Sequence, residues 1–208
     1  MKFRINFLNV LMIVALLAGA VFVTPARPVQ ADSTAQTIPF SQNWSNIDLI
    51  TASDDWSGVP GIIGYLGDLY PTTSTTGVDP QTILIDGGAQ DVMANLTSLS
   101  TTGGVAEFHF ADPVVALQGS GTADAPFLLL NLNTTGKSNI RIAYDVRDVD
   151  SAAEDAVQQV ALQYRVGNSG LFTNLPDGYI ADATTGPSIA TLVTPVSVVL
   201  PAAADNQP

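Results

Sequence analysis

Apolar and polar positions alternate strictly over two long runs. Ile140, Ile142, Tyr144 and Val146 interleave with Arg141, Ala143, Asp145 and Arg147, and Val160, Leu162, Tyr164 and Val166 interleave with Gln159, Ala161, Gln163 and Arg165. A period of two belongs to a strand with one face in a core and the other in water. The connection between the runs, DVDSAAEDA at 148–156, is polar and carries four acids. The pattern predicts a long antiparallel hairpin around which the rest of the chain is organised.

The remaining apolar stretches are shorter and predict further strands. Residues 38–44 read as a first strand with Pro39 marking an edge, and 46–70 as a long ordered loop holding one short strand near 61–65. A Thr/Ser/Gly tract at 71–80 predicts a surface loop. Residues 82–85 predict a short strand, and Val92-Met93-Ala94 a helical turn. In 105–110, Phe108 and Phe110 fall on one face and Glu107 and His109 on the other. FLLLNLN at 127–133 is nearly continuous and predicts a central strand buried on both sides. Short strands are predicted at 114–117, 171–174 and 179–182, and a longer one at 191–200 with Pro195 at an edge or bulge. Many strands, Gly/Pro turns and almost no helical period predict an all-β, antiparallel β-sandwich of jelly-roll type with long Gly/Asp-rich loops.

The first 31 residues follow a different logic. Lys2 and Arg4 precede an apolar run of 14 residues at 10–23, and Val29-Gln30-Ala31 places small residues at the −3 and −1 positions of a cleavage site. That is the layout of a secretory signal peptide, and the run is shorter than the roughly 20 residues of a membrane span. Cleavage after Ala31 would leave a secreted or cell-surface protein with no membrane segment. Its organisation would be a disordered start at 32–37 and one domain at 38–208, large enough to bury a core.

Beyond Ala31 only Lys137, Arg141, Arg147 and Arg165 are basic, against all 19 acids, a net charge of −15. Such a surface repels phosphate backbones and argues against direct nucleic-acid binding. Seventeen of the acids are Asp, the loop acid and a hard-cation ligand, which brings in calcium as a structural ion. With no cysteine there is no disulfide, thiolate nucleophile or Cys-held metal.

Three stretches also carry a resemblance: YRVGNSGLFTNLPDGYIADAT at 164–184, PFSQNWSNIDLITASDDWSGVPG at 39–61 and FLLLNLNTTG at 127–136. In these the chain resembles the N-terminal β-sandwich module of large exported bacterial proteins, among them extracellular nucleases of the endonuclease/exonuclease/phosphatase class. The resemblance implies a carbohydrate-binding or adhesive jelly roll, with any catalytic domain further downstream. Modules of that kind continue with a V-x-V-R-I strand and a closing Asp-Asp-Ile-like segment. Neither follows here, which implies a domain lacking its last strands.

Candidate chemistry concentrates in four places. Asp54-Asp55-Trp56 joins two carboxylates to an indole, suited either to a calcium site beside a sugar-stacking platform or to a turn anchored by a packed Trp. Asp148, Asp150, Glu154 and Asp155 would chelate calcium at the hairpin tip, or form a solvated acidic turn; their spacing is not that of an EF-hand. Arg141, Arg147, Gln163 and Arg165 share the polar hairpin face, either lining a ligand groove or pairing across strands, as Arg165 with Asp145. Glu107 and His109 admit an acid–base pair, but no nucleophile motif accompanies them, so His109 reads as a surface residue. Trp44, Trp56, Tyr65 and Tyr70 are the aromatic candidates for ligand contact. These features favour a non-catalytic exported module that binds an extracellular glycan or surface polymer. The alternatives are the accessory part of a secreted nuclease or phosphodiesterase, and a structural envelope protein. The oligomeric state is not encoded in any of these patterns.

Overall fold

The computed structural model describes residues 31–69, 78–99, 102–149, 157–184 and 193–208. Among them the chain is all-β: eleven strands and three single-turn 3-10 segments, with no α-helix. The strands are β1 (Gln36–Thr37), β2 (Ile62–Tyr65), β3 (Met93–Leu96), β4 (Gly104–Phe108), β5 (Val114–Gln118), β6 (Phe127–Leu130), β7 (Leu132–Asn133), β8 (Arg141–Arg147), β9 (Gln163–Tyr164), β10 (Thr173–Asn174) and β11 (Val193–Val199). They form several small sheets: β3-β4-β5, and the pairs β2-β6, β1-β7, β8-β11 and β9-β10.

The expected hairpin does not form. β8 pairs antiparallel with β11, Tyr144 opposite Val196 and Ile142 opposite Val198, while β9 pairs with its sequence neighbour β10. Residues of both alternating runs do meet in one cluster, although Val166 is 40% exposed. Val196, Val198 and Leu175 are buried there, and Tyr144, Leu162, Tyr164, Ile180 and Leu200 pack around them. Alternation specifies which side of a strand is apolar; it does not specify which strand supplies the hydrogen bonds. Pro195, which has no N–H to give, stands opposite Asp145.

A second cluster forms the larger core: Ile50, Trp56, Val59, Ile62, Ile63, Val92 and Val105, with Ala31, the residue before the expected cleavage point, also buried in it. Burying an indole removes about 200 Å² from water, worth about 5 kcal/mol at about 25 cal/mol per Å². Gly64 makes room for it, because a Cβ there would run into the Trp56 ring.

Four smaller expectations are corrected. Residues 92–94 do not turn helically: Met93–Leu96 is a strand parallel to β4, bent where Asn95 adopts φ 61°. FLLLNLN is not one doubly buried strand. It breaks at Asn131, whose backbone N–H bonds to Gly61 O, so that β6 serves β2 and β7 serves β1, and Leu130 is 36% exposed. The first strand is Gln36–Thr37, not 38–44. Residues 80–82 form a 3-10 turn capped by Asp79, and 83–85 are not a strand. The strands expected near 61–65, 105–110, 114–117, 171–174 and 191–200 are present with ends that differ by at most two residues, and 179–182 contributes a single bridge, Ile180 to Val160. The signal segment and most of the 71–80 tract lie outside the described residues.

Candidate functional site

The connection from β4 to β5 and the end of β8 together enclose an open cleft of about 250 Å³, lined by Phe110, Ala111, Asp112, Arg147 and Val149. Phe110 reaches it by continuing the alternation of β4. Its ring stacks on that of buried Phe108, centroids 5.0 Å apart and planes 9° from parallel. Arg147 closes β8 and grips the connection twice: Nη1 donates to Asp112 Oδ2 at 2.6 Å and Nη2 to Asp112 O at 2.9 Å. The Asp112 side chain is 83% exposed, so the pair is screened by water and positions the cleft more than it stabilises the fold. A ring wall beside planar donors and acceptors is the composition that holds a small polar ligand with an apolar face.

The neighbouring positions Glu107 and His109 carry the pair expected from the alternation. Glu107 is 4% exposed, and its Oε2 accepts from Asn95 N at 3.1 Å. His109 Nε2 lies 3.1 Å from the same oxygen, at ion-pair distance but out of hydrogen-bond alignment. His109 is therefore tucked against a buried carboxylate and is not the open-surface residue its isolation suggested.

The other predicted residues are dispersed. Trp56 is fully buried, donates Nε1–H to Asp91 O at 3.0 Å and meets half-buried Trp44 edge-on at 6.5 Å, so it anchors a loop and has no face to offer a sugar. Asp54 Oδ1 accepts from Val92 N and Asp55 Oδ1 from Ser57 N. Ser57 holds the Asp55 carboxyl below the usual range, whereas burial pushes Asp91 above it, the Val105 N–H opposing and the Asp54 charge adding to the rise. Tyr65 stacks on Phe127 at 4.9 Å, its phenol raised by burial and then by the Asp86 charge.

The four polar residues assigned to one hairpin face go three ways. Arg147 lines the cleft, and Arg141 donates to Ser197 Oγ on the β8-β11 surface. Gln163 and Arg165 are turned to the protein itself. The Gln163 amide donates to Pro80 O, Ile83 O and Asn174 Oδ1, so two protons already meet three acceptors. Arg165, its side chain only 10% exposed, binds Asp86 through both terminal nitrogens at 2.9 and 2.7 Å and covers the Phe172 ring at 4.4 Å. Its partner is Asp86, not Asp145. Tyr70, Asp150, Glu154 and Asp155 lie outside the described residues, and Asp148 is half-buried. Among the described residues no group of three or more His, Asp or Glu side chains is placed to hold a metal ion.

Phe110, Asp112 and Val149 were not singled out by sequence. The signal available was FHFADP, an aromatic pair ending a strand immediately before an Asp-Pro turn. Among the described residues, strands without α-helix define the class as an all-β protein. Among the described residues no helix is long and apolar enough to cross a membrane. No family model matches the chain, and comparison with curated proteins and with solved structures returns no match either.

Proposed function

We propose that this chain is a non-catalytic, exported module, a β-sandwich of jelly-roll type, that binds an extracellular glycan through the Phe110–Arg147 cleft. The carrying observation is the cleft itself: an aromatic ring fixed from behind by Phe108, facing the same space as an arginine fixed by an exposed carboxylate. Such a site binds by stacking and hydrogen bonds and needs no reacting group. The signal-peptide layout, the strong negative charge and the resemblance to modules of exported bacterial proteins support the same reading.

Retention on insoluble polysaccharides tests it. Phe110→Ala and Arg147→Ala are each expected to lower retention about tenfold, the loss of about 1.4 kcal/mol of binding, with a melting temperature close to that of the unaltered protein. Unchanged retention in both variants counts against the cleft as the site.

A further inference from the structure

We infer that the cleft takes one neutral, hexose-sized sugar unit, held through two adjacent hydroxyls by the Arg147–Asp112 pair with its C–H face on Phe110. The inference rests on the glycan reading above and adds the ligand class. Size comes first: about 250 Å³ is below the roughly 300–1,000 Å³ of sites for drug-sized ligands, so the cleft itself has room for about one ring.

Charge excludes an acidic ligand. Arg147 is the cleft's cation, and Asp112 Oδ2 at 2.6 Å already neutralises it. The chain as a whole carries −12, so a uronate or sulfated polymer approaches against the field of the protein and finds no unspent positive charge on arrival.

Hydrogen-bonding capacity then selects the ligand. A guanidinium has five N–H donors, of which Arg147 spends two on Asp112. Asp112 Oδ1 receives no donor among the described residues, on a side chain that faces water. Donors and a charged acceptor therefore stand side by side in fixed relation. One sugar hydroxyl donates to the carboxylate while its neighbour accepts from the guanidinium, a pairing that neither an apolar ligand nor an isolated hydroxyl satisfies. The Phe110 ring supplies the apolar wall that a sugar's C–H face requires.

The test uses the full chain and two sets of beads, one bearing a neutral hexose polysaccharide (mannan) and one bearing polygalacturonate, each at 50 and 500 mM NaCl. The expected result is retention on the neutral polymer that changes less than twofold between the two salts, and falls about tenfold in Asp112→Ala and in Phe110→Leu. Phe110→Leu keeps an apolar residue of similar size, and a thermal melt of each variant separates lost binding from lost folding. Salt-sensitive retention on polygalacturonate that is lost in Phe110→Leu overturns the neutral-sugar class while leaving the cleft as the glycan site. Retention on neither polymer, or retention indifferent to both substitutions, overturns the cleft reading and the class with it.

Discussion

Asp91 and Asp86 pull the stability of this protein in opposite directions as pH changes. Burial raises the Asp91 pKa, so the folded state binds that proton more tightly than the unfolded chain does. The stability Asp91 contributes is full below 3.8, the unfolded value, and is lost as pH rises through the folded value. Asp91→Asn keeps an acceptor for the Val105 N–H and removes the half-buried charge. It is expected to raise the melting temperature at pH 7 by a few degrees, with the gain vanishing near pH 3; a lower melting temperature at pH 7 contradicts the assignment. Asp86 is the reverse case. The Arg165 hydrogen bonds hold it below 3.8, so its contribution is present above that value and lost as pH falls through the folded one. Asp86→Asn is expected to cost about 1 kcal/mol at neutral pH, discounted for a partly exposed pair, and nothing in strong acid. Neither role is legible locally. Asp91 reads as one more loop acid, and Asp86 lies 79 residues from Arg165. What could be read was the side of the strand on which Arg165 falls, because that follows from a period of two.

Strand identity was more legible than strand partnership. β4, β5 and β11 stand where alternation or apolar runs place them, since those patterns report burial of one face directly. β8 found its partner some fifty residues further on, because Thr194, Val196 and Val198 present the same apolar period as the nearer candidate and seven opposed positions against it. β3 escaped notice because Val92-Met93-Ala94 has no β-branched run to distinguish strand from helical turn. The absence of cysteine gives the β8-β11 register a clean test. Ala143 stands opposite Ser197, and directly opposed residues are about 4.5–5.5 Å apart at Cα, within disulfide range. Ala143→Cys with Ser197→Cys is expected to form an intramolecular cross-link on oxidation, detected by mass spectrometry. Failure of this pair to cross-link on oxidation contradicts the β8-β11 register.

For the whole molecule, the C-terminal stretch is a fastener. β11 completes the smaller cluster, and the residues after it return to the chain before β8: Thr134 N donates to Gln207 O at 2.7 Å, the buried Thr134 hydroxyl to Ala204 O at 2.6 Å, and Asn206 bonds both Gly136 and Lys137. Ending the chain at residue 192 is therefore expected to expose the apolar side of β8 and to replace a cooperative melt with a broad one accompanied by dye binding. A sharp melt in the shortened protein would show that the two clusters fold without their fastener. The all-β class was legible from composition and turn residues, which are properties of the whole chain. The division into small sheets was not, because it depends on where single residues such as Asn131 redirect the backbone from one partner to another.

The grip of Gln163, Asn174 and Arg165 on residues 80–86 has a consequence in time. Phe172 N donates to Leu84 O within that grip, at 2.8 Å. Its amide proton can swap with solvent only when two parts of the chain some ninety residues apart let go of each other. The exchange rate of that one proton is therefore a clock for their separation, and substitution of Gln163 sets it running faster.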